Sequence, residues 1–467
     1  MSERHDLRCG IETCGEYPCP ISNNTGAPMC LSPLQGSVPA NVEYNACMRR
    51  LAFLLRCLAL VALALLPACT TINSSTTGAA SSQPAAQRSA TPIPLTLWHS
   101  WSGAKLNALN ILARSYEQAN PEVRIRLQSQ AAPDMLRQYN LSVADGSGPQ
   151  LLLTPGRYVG ELAEQQQVAP LDDAFATETL TDVLAPALEG ARVGQQLYGV
   201  PITFDTLVLF YDRRRSPSPP ATFDELLALN ASERSQPAEQ RPLSLAYYLM
   251  LETTLPYLHA FGGVVVDAAG QPTFASTGKD ATARWLEWLK TLQRDENVLA
   301  SADFSAVDAA AQAGRAWSVI DWSHRRANYA QVWGADAVGV APLPALAPDQ
   351  PPRPLVLPQV LCINPVTSPE QRSAAQNFMR FMLEPASQEL LASRSGLIPV
   401  HRLAQVAPDI QPFVAAASQS QGLVNNITDP DVWRPLNDMF RGVISGATSV
   451  SEALTTATTT LQPTPTP

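Results

Sequence analysis

The marks of catalysis are missing from this sequence. It contains no C-x-x-C pair, no H-E-x-x-H, no G-x-S-x-G elbow and no Gly-x-x-x-x-Gly-Lys loop. Those absences exclude the common zinc, serine-hydrolase and nucleotide-binding signatures. The stretch FGGVVV lacks Gly-x-Gly spacing and a following Lys-Ser/Thr, so it is no phosphate cradle. The five histidines (His5, His99, His259, His324, His401) are scattered, and nothing selects a glycosidase pair from the 41 acidic residues. A basic excess is also absent: 32 Lys and Arg against 41 Asp and Glu leave a net charge of −9, the wrong sign for a nucleic-acid partner. No catalytic residue, metal or cofactor is therefore expected.

A processing signal comes first among the features that are present. Arg49 and Arg50 precede an apolar run, uninterrupted over residues 57–66, that ends in Leu66-Pro67-Ala68-Cys69. The run is too short for a membrane helix, which needs about 20 residues. A basic pair, a short apolar stretch and a small-residue exit make a secretory signal. With its terminal cysteine the segment resembles a bacterial lipoprotein signal, in which the peptidase cuts before the cysteine and the new terminus is acylated. The expected mature chain starts at a lipid-bearing Cys69, with residues 48–68 as signal peptide and residues 1–47 as an extension upstream of Met48. Cys9, Cys14, Cys19, Cys30 and Cys47 in that extension lack metal-ligand spacing. No disulfide framework is then available, and Cys362, inside VLCI, reads as a small buried hydrophobe. Residues 69–91, rich in Ser, Thr and Ala, read as a flexible tether, and the tail TTATTTLQPTPTP as equally unpackable.

Beyond the tether the chain turns regular, and about 400 mature residues call for two domains. LTLWH (95–99) has strand character, and residues 105–118 put Leu106, Leu109, Leu112, Ala113 and Tyr116 on one helical face. VRIRL (123–127) alternates like a half-buried strand, residues 134–144 suit a helix, and QLLLT (150–154) suits a strand. That order implies a parallel sheet with right-handed crossovers, whose ligands bind beyond the carboxyl ends of the strands. Residues 98–103 and 154–158 are marked on that ground, including Trp98, Ser100, Trp101, Arg157 and Tyr158. Trp285 and Trp288, three apart on an amphipathic helix, read as core.

From residue 197 the chain becomes recognisable. LYGVPITFDTLVLFYDRRRSPSPPATFDELLAL (197–229) resembles the pattern of family 1 extracellular solute-binding proteins of ABC importers, the group that contains maltodextrin- and other sugar-binding proteins. Gly199-Val200-Pro201, LVLFYD and Thr222-Phe223-Asp224-Glu225-Leu226 match it, with Asp212 for the usual Asn and Phe223 for the usual Trp. FGGVVVDAAGQPTF, GRAWSVIDWS, VGVAPLP, SPEQRSAAQNFMRFMLEPASQELLASRSGLIPVHR and VWRPLNDMFRGVISGATSVSEAL follow in the family's order. The chain departs from the pattern at Pro149-Gln150, where many members have Pro-Asp. It departs again at Pro358-Gln359, in place of a Gly-rich turn before the family's last parallel strand.

The resemblance implies an α/β, two-lobed periplasmic-binding-protein fold with a hinge and an interlobe ligand cleft. Lobe one is expected at residues 92–202 plus 337–394 and lobe two at 203–336 plus 395–461, bending near 201–204, 336–338 and 395–397. Carbohydrate sites pair flat aromatic rings with polar groups that fix hydroxyls. Trp322 and Trp433 match positions where sugar-binding relatives carry aromatics, and Asp205 stands at the spacing from Pro201-Ile202 of a carboxylate that accepts sugar hydroxyls. With Trp98, Ser100, Trp101 and Arg157 they form the expected ligand set. The implied partners are a sugar, ABC permease subunits and, through Cys69, the outer face of the cell membrane, with a periplasmic location as the alternative. Alternatives are the same fold serving a non-sugar solute such as a phosphate ester, since Arg binds such groups bidentately, and a surface lipoprotein without a small ligand.

Overall fold

The computed structural model describes residues 91–461 apart from 176–179, 234, 238–239, 268 and 423–429. Cys69, the signal, the upstream extension and nearly all of the tether lie outside the described residues. Among those described, no helix is long and apolar enough to cross a membrane.

Alternation builds the first strand. In β1 (Ile93–His99) Leu95, Leu97 and His99 are buried and their neighbours are not. Helix α1 (Gly103–Ala119) buries Leu109, Leu112, Ala113 and Tyr116, the face its 3.6-residue period dictates. After β2 (Val123–Ser129) and α2 (Ala132–Ala144) the chain enters β3 (Leu151–Pro155), and β1 runs parallel to both β2 and β3. The glutamine that replaces the family's aspartate has a structural use here. Its side-chain oxygen accepts the Thr96 N–H at 2.8 Å and ties β1 to the start of β3.

The 13-residue strand β4 (Val200–Asp212) lies in the middle of the sheet. The further strands longer than two residues are β5 (Leu245–Tyr248), β6 (Val298–Ser301), β7 (Ser318–Trp322), β8 (Val338–Ala341) and β9 (Leu355–Ile363). Hydrogen-bonded order runs β2-β1-β3-β9-β4-β7-β5-β6, with β8 also on β4. The first half of β4 pairs with β9 and the second half with β7 and β8. Contrary to the expectation of a last parallel strand, β9 runs antiparallel to both β3 and β4. Its Pro358 cannot donate to a ladder, and the register of β9 on β4 shifts just after it, between Gln359 and Val360. Glycines make room for that proline: a Cβ on Gly156 or Gly190 would come within 2.8 or 2.6 Å of its ring. Gly199 is needed for the same reason, because a Cβ there would meet Val360 Cγ1 at 2.3 Å and push β9 off β4.

Side chains alternate along β4 between two cores, as in a strand buried on both faces. Val208 and Phe210 join the core that also packs the first lobe, whereas Leu207, Leu209 and Tyr211 join a second core with Tyr247 and Trp285. Helices α3 (Leu251–Ala260), α4 (Lys279–Arg294), α5 (Arg326–Trp333), α6 (Pro369–Leu383), α7 (Gln411–Ser418), α8 (Pro430–Ile444) and α9 (Val450–Thr460) cover the sheet. Phe210 lies 4.7 Å from Tyr329 of α5 and 6.3 Å from Phe413 of α7, so the first core continues under the second lobe. Trp285 is fully buried and stacks on Phe440 at 5.7 Å, while Trp288 is half-buried beside Phe223. The tail expectation is corrected in part: TTATTT lies in α9, where Ala457 is buried and the Thr458 hydroxyl donates to the Ala275 carbonyl at 2.7 Å.

Asp212, in place of the family's asparagine, closes β4 by accepting a forked bond from Arg214, at 2.9 Å from Nε and 2.7 Å from Nη2. Burial pushes its carboxyl up, but the bonds and charge of Arg214 outweigh this and hold it low. The segments expected to pass between lobes are tied to their neighbours by hydrogen bonds. Thr203 donates to the Ile398 carbonyl at 2.8 Å, Gln388 to that of Ile202 at 3.0 Å, and Arg213 N–H to that of Ala337 at 2.9 Å.

Candidate functional site

The turn that leaves β7 meets Asp205, the half-exposed residue of an otherwise buried β4. Its carboxylate holds the turn that leaves β7. Oδ1 accepts from the Ser323 hydroxyl, from the His324 N–H at 3.2 Å and from the Thr206 N–H at 3.1 Å. Oδ2 lies 2.5 Å from His324 Nδ1. Each carboxylate oxygen offers about two lone-pair sites; three donors share Oδ1, whereas Oδ2 has the single His324 contact and keeps one site for a ligand hydroxyl. The serine and the imidazole both bind the carboxylate and not each other. That arrangement orients the ring without activating the hydroxyl as a nucleophile.

A second layer fixes the turn. Asp321 accepts from Tyr329 Oη at 2.6 Å and from Arg325 Nε at 3.2 Å, and Arg325 also pairs with Asp308. Burial raises the Asp321 carboxyl against the pull of these donors, and burial also pushes the Tyr329 hydroxyl far up. His324 is pushed the other way from an ordinary buried histidine. Its bond to Asp205 raises it, burial opposes, and the charges of Asp205 and Asp321 add to the rise.

Charges cross the gap between lobes. Lys105, in the first turn of α1, is close enough to His324 to oppose its protonation. Arg157, in the turn after β3, stands 4.8 Å over the Tyr158 ring and bonds its hydroxyl at 3.1 Å. Glu252 opens α3 after β5, and its carboxyl is raised by burial and lowered in part by the charge of Arg157. Lys105 follows β1, Arg157 follows β3, Glu252 follows β5 and His324 follows β7, so all four stand just beyond strand ends.

The sequence candidates separate by burial. Trp98, Ser100, Trp322 and Trp433 are half-buried, and the three indoles lie at the margins of the two cores. Arg157 is exposed. Trp101 is only 6% exposed and packs inside the first core, which leaves Trp98 as the indole of that pair with an open face. Among the described residues no hydrogen bond, ion pair or ring contact joins Trp433 to the Asp205 group. Ser323, His324, Lys105 and Glu252 are not among the sequence candidates. The signal for the first two was present, because Ser323-His324 follows β7 as directly as Ser100-Trp101 follows β1.

Elsewhere, a recess of about 550 Å³ opens at the other end of β7, between Arg214, Arg215, Trp317 and Trp333. Its arginines are engaged by Asp212 and Glu233. Among the described residues no group of three His, Cys, Asp or Glu could hold a metal ion.

The sequence profile described as bacterial extracellular solute-binding protein matches residues 112–417. The maltooligosaccharide ABC transporter solute-binding lipoprotein of Streptococcus pneumoniae is 23% identical over 386 residues, covering 76% of this chain and 85% of that protein. The maltotriose-binding protein of Pyrococcus abyssi is 26% identical over 174 residues, and that match spans 37% of each chain. Among solved structures, a cyclo/maltodextrin-binding protein complexed with maltotetraose superposes with a TM-score of 0.67 at 18% identity, covering 79% of this chain and 96% of that one. The Thermus thermophilus maltotriose binding protein bound with maltotriose gives 0.62 at 20% identity, covering 79% and 98%. These superpositions speak for the two-lobed fold, and the profile match speaks for descent. The chain belongs to the family of bacterial extracellular solute-binding proteins.

Proposed function

We propose that this protein is the receptor of an ABC importer, which captures an extracellular carbohydrate of the maltooligosaccharide type between its lobes and delivers it to permease subunits. The lobes are residues 92–202 plus 337–394 and residues 203–336 plus 395–461, with bending at 201–204, 336–338 and 395–397. Acylated Cys69 holds the receptor on the outer face of the cell membrane, where several acyl chains anchor stably and one does not.

The observation that carries this reading is Asp205 on the strand shared by both lobes, with a lone pair on Oδ2 left over after its protein donors. A sugar needs such a fixed acceptor for a hydroxyl and flat apolar surfaces for its ring faces. Trp98, Trp322 and Trp433, half-buried at the core margins, supply the surfaces. Closure over the sugar then follows from its tighter binding to the closed state.

A thermal-shift panel of mono-, di- and oligosaccharides tests the reading, followed by small-angle scattering with the best binder. A concentration-dependent rise in melting temperature and a compaction at saturation are expected. One feature favours a second solute class: Lys105 and Arg157 are exposed on the same lobe, with no carboxylate in ion-pair contact among the described residues. A panel in which sugar phosphates stabilise the protein and neutral sugars do not would move the reading to phosphate esters.

A further inference from the structure

The Asp205–His324 contact does more than close a turn. A carboxylate can only accept, so the 2.5 Å approach of Oδ2 to Nδ1 puts a proton on Nδ1 in either charge state of the ring. The remaining nitrogen, Nε2, makes no hydrogen bond among the described residues, and the His324 side chain is 57% exposed. When the ring is neutral Nε2 is an acceptor. When the ring is protonated Nε2 is a charged donor. One proton therefore reverses the hydrogen-bonding sense of a group at the junction of both lobes.

We propose that His324 contacts the solute through Nε2 and that its protonation couples solute capture to pH, with Asp205 as the positioning residue that fixes the ring. The proposal rests on the sugar-receptor reading given above. A sugar hydroxyl can donate to the neutral ring or accept from the imidazolium, and the charged bond is roughly twice as strong. Binding is then tighter to the protonated protein, and by linkage binding draws a proton onto His324.

The charged neighbours leave this sense unchanged. Asp205 on β4 and Asp321 on β7 face the ring and favour its protonation, while Lys105 on α1 opposes with the smallest effect. Beside it in the turn, Arg325 is engaged by Asp308 and Asp321, and Arg326, which opens α5, is paired with Asp409 at 3.0 Å. With the ring held above its ordinary value of 6.5, affinity is greatest below the raised value and falls as pH rises through it.

Calorimetry with maltotriose, from about pH 6 to about pH 8.5 and in two buffers of different ionisation heat, tests this directly. Affinity should fall about fivefold over that range, with proton uptake on binding at the upper end. His324→Gln keeps a polar side chain but cannot titrate, and its affinity should be flat over the same range with no proton uptake. Asp205→Asn should bind more weakly and move the loss of affinity to lower pH, because the ring loses its anionic partner. Maltotriose binding in the wild type without pH dependence or proton uptake overturns the inference while leaving the receptor reading intact. So does a His324→Gln protein that keeps the wild-type profile. A wild type that binds no sugar at any pH overturns both.

Discussion

Two strand ends in this molecule share a tryptophan, a histidine and a serine within four residues. At the end of β1 the chain reads Trp98-His99-Ser100-Trp101, and at the end of β7 it reads Trp322-Ser323-His324-Arg325. Their environments differ. His99 is 1% exposed, and its Nδ1 accepts the Trp101 N–H at 3.1 Å, so the ring is held neutral with its pKa pushed down by burial. His324 is exposed, faces a carboxylate and is pushed up. The first end is built as packing and the second as a polar surface. Residue type alone did not decide between them. What decided was which atoms the turn presents to the neighbouring strand.

The sharpest way to break this comparison is to delete an indole from each end. Trp101→Ala removes a packed side chain and should destabilise the protein by about 3–5 kcal/mol, as read by chemical denaturation. Trp322→Ala removes a half-buried one and should cost less than half of that, while weakening sugar binding at least tenfold, roughly 1.4 kcal/mol or more. Trp433→Ala should behave like Trp322→Ala. Equal destabilisation at both ends, with binding unchanged, would reduce the β7 end to packing as well.

Acid unfolding sharpens the contrast at a somewhat smaller scale. His99 and His259 are both depressed by burial, His259 to about 4, so the unfolded chain takes up their protons first as pH falls. Stability should therefore be present above about pH 6.5 and drain away toward pH 4, by at most about 3 kcal/mol for His259. The raised His324 has the opposite sign. Its contribution is complete below its unfolded value and is lost as pH rises through the folded one. Urea midpoints across this range should show the acid loss, and His324→Gln should remove only the decline on the alkaline side.

Asp205→Asn comes next. It keeps the shape but replaces a charged acceptor, and losing a hydrogen bond to a charged group costs about 1.5–3 kcal/mol, roughly 10- to 150-fold in affinity. Gln150, by contrast, already offers an uncharged amide oxygen to the Thr96 N–H, so its bond has no charge to lose. An affinity of Asp205→Asn equal to wild type would remove the carboxylate from the site.

Much of this architecture can be read from period and punctuation. The face of α1 follows from Leu109, Leu112, Ala113 and Tyr116, because four-residue spacing is a local property of the helix. The parallel order of β1, β2 and β3 follows from their alternation with helices. The antiparallel run of β9 does not, since direction there depends on where a distant segment returns to the sheet. The helix at TTATTT was hidden for a related reason. Threonine disfavours helix locally, and burial of Leu454 and Ala457 overrides it. At the site, Asp205 stands out by its spacing from Pro201. Its partners His324 and Ser323 lie 119 and 118 residues away, beyond any local pattern.

The smallest expected effect separates two serines. Ser323 is 6% exposed and donates to Asp205, and its oxygen is within 3.3 Å of the Thr206 N–H, so it ties the β7 turn to β4 at two points. Ser100 is half-buried, and its hydroxyl makes no hydrogen bond among the described residues. A net intramolecular hydrogen bond contributes about 0.5–1.5 kcal/mol, so Ser323→Ala should lower stability by about 1 kcal/mol and loosen the ring of His324 with it. Ser100→Ala breaks nothing inside the protein and should leave the melting temperature unchanged. If Ser100 meets the solute, sugar affinity alone should fall, by a few-fold for a neutral hydroxyl. Calorimetry with maltotriose beside thermal denaturation reads both. A Ser100→Ala protein with unchanged affinity would assign the polar contacts of the cleft to the β7 side, where the carboxylate and the imidazole already are.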